Sequence, residues 1–93
     1  MLSKEIKERR KRIELAPVIE HYDIISYGNN ENDIRYIEVK THKRLLNANF
    51  IELSKYEYDF GKEKKDKYWI YLVLYINGNP KIVRIQNPIE KLN

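Results

Sequence analysis

The sequence predicts a small α/β or α+β domain in which helices pack on a sheet. Its clearest strand is the run 68–76, which is apolar on both faces and therefore belongs inside the sheet. Asn77-Gly78 follows directly and is typical of a type I′ hairpin turn, so 81–85 is expected to return as the partner strand. Ser54 and Glu57 have the spacing of a capping box, which predicts that a helix begins there.

Two helices are expected. The charged segment 3–15 contains no Gly or Pro and has a thin apolar stripe, and Pro17 would end it because proline disfavours helix at the preceding residue. In the second helix, Tyr56 and Phe60 lie four residues apart, and both rings are expected to dock on the sheet. We expect this helix to end near Gly61 or in the lysine-rich run that follows.

The remaining segments are weaker predictions. Alternation of side chains favours extended structure over 18–27 and 34–41, with a turn of Gly, Asn and Asp over 28–33 between them. A short strand is expected over 49–53, and a polar tail over 86–93. The whole chain, 1–93, is expected to form one domain, with a basic N-terminal helix over 1–17 and the main body of the fold over 18–88.

Composition excludes several classes of site. The 93 residues include no Cys and two His, so disulfides and thiolate metal sites are excluded and a zinc site is disfavoured. No apolar run reaches the roughly 20 residues of a membrane span, and no signal peptide is recognisable, so we expect a soluble cytoplasmic protein without a membrane partner. The net charge of +4 suits a protein that binds a polyanion.

The candidate site lies on the two predicted strands on either side of the Gly-Asn-rich turn. The first strand carries Asp23, and the second carries Glu38 and Lys40 on one face, half sunk among Ile34 and Tyr36. Two carboxylates can hold a divalent metal ion, and an ammonium group can act beside a water molecule or a phosphate. This combination is typical of metal-dependent phosphodiester hydrolysis.

A structural role for the same residues is an equally weighted alternative. Glu-x-Lys occurs three times in the chain, at 5–7, 38–40 and 63–65, and the outer copies are explained by solvated ion pairs. The middle copy lies on an apolar strand, where a charged pair loses hydration and needs a partner. A cross-strand ion pair between Asp23 and Lys40 would satisfy that need, contributing ~0.2–1 kcal/mol.

Several segments, taken in order, resemble one known family. They are Tyr22-Asp23-Ile24, Arg35-Tyr36-Ile37-Glu38-Val39-Lys40-Thr41, Phe50 before Ser54-Lys55-x-Glu57, Tyr68-Trp69-x-Tyr71, Asn79-Pro80-Lys81-Ile82 and Ile85-x-Asn87-Pro88. Their order and spacing are similar to those of the protein NO VEIN C-terminal domain family, of the restriction-endonuclease-like PD-(D/E)XK superfamily. The resemblance implies a minimal version of that fold, a mixed sheet with flanking helices.

The resemblance also implies roles for individual residues. Asp23, Glu38 and the Val39 main-chain carbonyl would bind Mg²⁺ or Mn²⁺, while Lys40 would orient the attacking water and stabilise the transition state. In the superfamily a preceding helix often adds an acidic residue. Four candidates are available in this chain: Glu5, Glu8, Glu14 and Glu20.

Basic and aromatic residues supply the expected contacts to nucleic acid. Lys43 and Arg44 directly follow the candidate site and are the better phosphate-binding candidates; Arg9, Arg10 and Arg12 form a second basic group, for which a solvated helix face is the alternative. Trp69, Tyr71 and Tyr75 share one strand face, where core packing is favoured over the stacking of bases.

The expected function is therefore Mg²⁺-dependent cleavage of nucleic acid, with DNA as the expected substrate and a homodimer as a possible assembly. The first alternative is a catalytically inactive module of the same fold that binds nucleic acid or protein. The second is a purely structural domain that dimerises through an exposed sheet edge.

Overall fold

A computed structural model of the chain describes residues 10–17, 20–30, 32–42 and 52–92. This part forms one five-stranded mixed sheet in the order β1-β2-β3-β4-β5, with two helices, so the coarse prediction of an α+β fold is confirmed. The strands are β1 Arg12–Leu15, β2 Ile24–Tyr27, β3 Ile34–His42, β4 Tyr68–Ile76 and β5 Asn79–Gln86. The helices are α1 Lys55–Lys64 and α2 Pro88–Leu92, and a 3₁₀ turn, Lys65–Lys67, follows α1.

The sheet is antiparallel except at its centre. β3 and β4 run parallel, with Glu38 opposite Ile70 and Lys40 opposite Leu72. Parallel neighbours need a long crossover between them. The helix α1 lies in that connection, and it therefore passes over the face of β3 that carries Glu38 and Lys40.

Both faces of the sheet are apolar where β3 and β4 pair. On one face the buried cluster is Tyr68, Ile70 and Leu72, against which Phe60 of α1 and Ile85 of β5 pack. On the other face the buried residues are Ile24, Ile37 and Tyr71. The prediction that β4 is an interior strand with two apolar faces is confirmed by this arrangement.

The local signals for α1 and for the hairpin are also confirmed. Ser54 and Glu57 form a complete capping box, and α1 ends within the predicted lysine run at Lys64. Asn77 and Gly78 both have positive φ, 52° and 80°, as a type I′ turn between β4 and β5 requires. Neither helix in the described ranges is long and apolar enough to cross a membrane.

The predicted N-terminal helix over 3–15 is wrong where the structure describes it. Residues 12–15 form β1, which pairs antiparallel with β2 so that Ile13 lies opposite Ser26. The polar-apolar alternation around Ile13 fits a pleated edge strand, and Ile13 packs against the buried cluster that includes Ile37. Sheet pairing outweighs helix propensity here, so the predicted boundary after residue 17 cuts through the sheet. Residues 1–9 lie outside the described ranges.

The predicted polar tail over 86–93 is also wrong, because Pro88–Leu92 forms α2. Pro88 occupies the first helical position, where proline is favoured because its missing N–H has no partner to lose. Ile89 is 5% exposed, so the apolar side of this short helix is buried against the body of the fold.

Three further predictions need correction. Tyr56 does not dock on the sheet, because its side chain is 68% exposed while Phe60 alone packs in the core. Of the strand expected over 49–53, residues 49–51 lie outside the described ranges, and Glu52 and Leu53 are not in a strand. The ladder of β2 is also shorter than the extended segment predicted for it and begins at Ile24.

Gly61→Ala is expected to destabilise the protein, although alanine is the better helix former. A Cβ on Gly61 would lie 2.6 Å from Cδ2 of Tyr68 and 2.9 Å from Cγ1 of Ile89, both buried. Overpacking of this kind costs about 1–3 kcal/mol, more than the gain in helix propensity of at most about 1 kcal/mol. Urea unfolding measures the difference. Exposed Lys62→Ala on the same helix is the control, and a Gly61→Ala protein as stable as the parent would contradict this packing.

Candidate active site

Asp23 is positioned where the pairing between β2 and β3 ends. Its backbone N–H donates to the Ile37 carbonyl oxygen at 2.8 Å, and the Val39 N–H donates to Asp23 Oδ2, also at 2.8 Å. The Asp23 carboxylate thus accepts the hydrogen bond that a neighbouring strand would otherwise accept from Val39. Because N–H and C=O of one residue point to the same edge of a strand, the Val39 carbonyl lies on the side of β3 that Asp23 occupies.

Lys40 lies between the carboxyl groups of Glu38 and Glu57. Its Nζ is 3.1 Å from Oε2 of Glu38 and donates to both carboxylate oxygens of Glu57, at 3.0 and 3.1 Å. The side chains of Glu38, Lys40 and Glu57 are 10%, 23% and 15% exposed. Ionisable groups so far out of water require close partners, and each has one here.

The first turn of α1 holds Glu57 in place. The Ser54 N–H donates to Oε1 of Glu57 at 2.9 Å, and the Glu57 N–H donates to Oγ of Ser54 at 3.1 Å. Oε1 therefore accepts from the helix cap and from Lys40 at the same time. The capping box orients the acidic partner of Lys40 as well as beginning the helix.

Glu38 and Glu57, the two carboxyl groups that contact Lys40, do not share charge equally. Burial, together with hydrogen bonds to the Glu57 and Asp23 carboxyl groups, raises the pKa of Glu38 to about 9 despite the nearby Lys40. Burial alone would also raise the pKa of Glu57, but hydrogen bonds from Glu38, the Ser54 backbone and Lys40 lower it to about 2. Glu57 is therefore the carboxylate that stays charged, and Glu38 holds a proton near neutral pH.

The ammonium group of Lys40 is stabilised by the same arrangement. Burial would lower the pKa of Lys40, but the contacts with Glu57 and Glu38 outweigh it and raise the pKa. Lys40 consequently stays protonated across the neutral range. A fixed positive charge is thereby held beside the Asp23 and Glu38 carboxyl groups.

A buried tyrosine adjoins the cluster. The Tyr68 hydroxyl makes no hydrogen bond within the described ranges, and the residue is fully buried. Its pKa is raised by burial first and then by the negative charges of Glu38, Glu57 and Asp23, so the hydroxyl remains protonated. Sequence reasoning assigned no role to this hydroxyl.

The structure brings together the three residues predicted from the sequence, Asp23, Glu38 and Lys40, with Val39 between the last two. It adds Glu57, for which the sequence predicted only a role in the capping box. The sequence alone does not show whether a capping glutamate also binds a lysine elsewhere in the fold. The distinction depends on α1 lying over β3.

The donor set fits a divalent metal ion of the Mg²⁺ type. Asp23 and Glu38 offer hydrogen-bonded carboxyl groups side by side, and Val39 offers a carbonyl oxygen, all hard oxygen ligands. Among the described side chains, no group of three or more Asp, Glu or His is arranged to hold a metal ion. Two carboxylates completed by a main-chain oxygen and water or substrate are nevertheless sufficient for Mg²⁺.

The cluster of Asp23, Glu38, Lys40 and Glu57 includes none of the described candidates for an additional acidic ligand from the preceding segment. Glu14 lies on β1 and its Oε1 is 2.9 Å from Nε of Arg12. Glu20 is exposed in the loop before Asp23. Glu5 and Glu8 lie outside the described ranges.

The predicted phosphate-binding residues separate into different environments. Arg10 has a side chain only 5% exposed, with Nη1 2.7 Å from Oδ2 of Asp33 and Nε donating to Oγ of Ser26 at 2.9 Å. It joins the β2–β3 turn to β2 and is poorly placed to bind a phosphate. Arg12 stacks over the Tyr27 ring at 4.1 Å, at the end of β2 remote from Asp23. Three other candidates lie outside the described ranges: Arg9, Lys43 and Arg44.

The aromatic face of β4 serves mainly as core, as favoured from the sequence. Tyr71 is fully buried, and the Trp69 indole lies 4.7 Å from the Arg35 guanidinium in a cation–π contact. Tyr75 is 43% exposed. This face is opposite to the one that carries Glu38 and Lys40.

Comparison with known proteins gives one match. The sequence profile of the family described as Protein NO VEIN, C-terminal, matches residues 2–85, which include all four residues of the cluster. No curated protein and no solved structure matches the chain significantly.

Stability of the metal-free protein is expected to fall as pH rises from about 5 to 9. The pKa of Glu38 is about 9 when folded against an ordinary value of 4.5, so in this interval the folded chain keeps a proton that the unfolded chain releases. The slope corresponds to at most one proton kept per folded chain. Urea unfolding in EDTA across this range measures it. Glu38→Gln should remove this component whereas exposed Glu52→Gln should retain it, and parallel profiles for all three proteins would refute the assignment.

Glu57→Gln is expected to separate the two roles of Glu57. Glutamine can still close the capping box, so α1 should keep its start. The charge beside Lys40 is lost, however, and the pKa of Lys40 should fall. NMR titration of the Lys40 side chain measures this, with exposed Lys62 as the internal control. A pKa of Lys40 that is the same in both proteins would show that Glu57 does not stabilise its charge.

Proposed function

The chain belongs to the protein NO VEIN C-terminal family, and from that premise and the geometry of its cluster we propose that it is a metal-dependent nuclease. The reaction is hydrolysis of a phosphodiester bond in nucleic acid, with DNA as the expected substrate. The observation that carries the proposal is the convergence of Asp23, Glu38 and Lys40 on β3, where the pairing of β3 with β2 ends. The proposed fold is a small restriction-endonuclease-like domain of the PD-(D/E)XK superfamily.

The order of elements around the cluster supports this assignment. Asp23 directly precedes β2, Glu38 and Lys40 lie on β3, and a helical crossover leads to β4, which runs parallel to β3. The resemblance noted in the sequence implies this sequence of acidic strand, Glu-x-Lys strand and helix. The pairing of β2 with β3 thus brings Asp23 next to Val39, although the two residues are far apart in the chain.

In the proposed reaction, Asp23, Glu38 and the Val39 carbonyl would hold Mg²⁺ or Mn²⁺. The bound ion would polarise a phosphoryl oxygen and lower the pKa of a coordinated water molecule. Lys40 orients the attacking water and places positive charge where negative charge develops at phosphorus. Asp23 keeps its orientation through the hydrogen bond that Oδ2 accepts from the Val39 N–H.

Glu57 is a positioning residue in this scheme. Lys40 contacts both oxygens of Glu57 and one oxygen of Glu38, which together use the three donors of its ammonium group. Exchanging the two-oxygen contact with Glu57 for a single one releases one N–H for a water molecule or phosphate. Glu57 thereby keeps Lys40 charged and aimed before the substrate arrives.

A non-catalytic binding module of the same fold is the second candidate. The observation in its favour is that the cluster is compensated internally, since Lys40 is ion-paired with Glu57 and Asp23 accepts from Val39. Such a module would bind nucleic acid or protein without needing metal. For either function, sequence specificity would have to come from a second copy of the chain or from another partner, because the domain is small.

Titration with Mn²⁺ by calorimetry separates the two candidates without any assumption about substrate. The nuclease assignment predicts about one ion bound per chain. Asp23→Ala should abolish binding, while Asp59→Ala, which removes an exposed carboxylate on α1, should not. No binding by the parent protein, or equal binding by both variants, favours the non-catalytic module.

Lys40→Ala is expected to reduce the cleavage rate roughly 100-fold or more, because it removes the charge that stabilises the transition state. Cleavage of labelled single-stranded and duplex DNA in Mn²⁺ measures the rate. Lys81→Ala, at an exposed position on β5, should leave it unchanged. Full activity of the Lys40→Ala protein would rule out the proposed role.

A further inference from the structure

A pair of stacked rings lies exposed beside the candidate active site. His21, in the loop before Asp23, and Tyr56, in the first turn of α1, have ring centroids 5.6 Å apart and ring planes only 10° from parallel. Tyr56 is 68% exposed, and His21 is exposed as well. Tyr56 therefore contributes little to the packing of the core, and its ring is open to contact from solvent.

Phe60 connects the ring pair to the core. His21 meets the edge of Phe60 with centroids 6.0 Å apart. Phe60 itself contacts the Tyr22, Tyr36 and Tyr68 rings, and Tyr68 is fully buried. A continuous series of rings therefore leads from the core to the surface and ends at Tyr56, so the exposed rings are held by the body of the fold.

The position of the pair ties it to the site. Tyr56 is adjacent in the chain to Glu57, which contacts Lys40, and His21 is two residues before Asp23. The two segments that contribute Glu57 and Asp23 thus each contribute one ring. Since one face of Tyr56 is covered by His21, the exposed surface of Tyr56 lies on the side away from that stack.

We propose that His21 and Tyr56 form a stacking platform for one unpaired nucleobase of the strand whose phosphate is bound at Asp23, Glu38 and Lys40. The proposal rests on the nuclease function above and names its substrate class: single-stranded nucleic acid, or a duplex with an overhang, bulge or frayed end. In a regular duplex each base is already stacked between its neighbours. An unpaired base is free to lie flat on Tyr56.

A nucleobase fits this surface better than a protein side chain. Bases present flat π-faces, and stacking on an aromatic residue tolerates every base, which suits a platform without shaped walls. The phosphate of the same nucleotide would then lie toward Lys40, whose charge is held on the same helix turn by Glu57. Tyr56 would supply the stacking surface, and the adjacent Glu57 would hold the lysine that binds the phosphate.

The test is binding of a single-stranded oligodeoxynucleotide that contains 2-aminopurine, measured by fluorescence quenching with the full chain in Ca²⁺, which takes the same kind of oxygen ligands as Mg²⁺, beside the same sequence in a blunt duplex. We expect quenching and tighter binding of the single strand. Tyr56→Leu should weaken single-strand binding about fivefold or more, and leave duplex binding unchanged. Tyr56→Phe should restore binding, and Tyr75→Leu, which removes an exposed tyrosine on the opposite face of the sheet, should have no effect.

Each other result overturns the proposal. Equal loss of single-strand and duplex binding, no loss at all, or binding to neither nucleic acid would exclude a base-stacking platform. A Tyr56→Leu protein that binds normally but unfolds at clearly lower urea concentration would show that the ring pair only fastens the loop to α1. The proposed nuclease function is judged separately, by Mn²⁺ binding and by the Lys40→Ala cleavage rate. It would survive if those tests succeed and the Tyr56 test fails.

Discussion

The contact of Lys40 with the Glu57 carboxylate and the Glu38 carboxyl group is the interaction on which the rest of the site depends. It joins β3 to the first turn of α1 across a surface that is mostly closed to water. Charges in such a position are tolerated only while all of their partners are present. The capping box that begins α1 therefore also orients Glu57 toward Lys40, so the start of the helix and the geometry of the site depend on the same side chain.

Within the first two turns of α1, three side chains have three different roles. Phe60 points to the core, Glu57 points to Lys40, and Tyr56 remains outside. Successive helical positions differ by about 100° in direction, so neighbouring residues can serve the site and the solvent-facing rim at once. Gly61 has no side chain and therefore lets α1 approach Tyr68 closely. The proposed chemistry and the proposed base stacking are thus both anchored in a single contact between α1 and the sheet.

Much of the fold and of the site was predictable because its signals are local. The strand over 68–76, the Asn77-Gly78 turn and the Ser54-Glu57 cap each depend on residues that are close in the chain. The grouping of Asp23 with Glu38 and Lys40 was also predictable, because alternation along two neighbouring strands determines which side chains share a region. The binding of metal and nucleic acid by that group remains a proposal.

The sequence by itself determined the strongest elements, the Glu38-x-Lys40 face and the family, because these follow from short-range pattern and spacing. Only the tertiary structure decided that 12–15 is an edge strand, that Pro88–Leu92 is a helix, that Glu57 binds Lys40 and that Tyr56 stays outside. The physical reason is common to all four. Each depends on which surface another part of the chain offers for hydrogen bonding, ion pairing or burial, and local propensity is too weak to compete with such contacts.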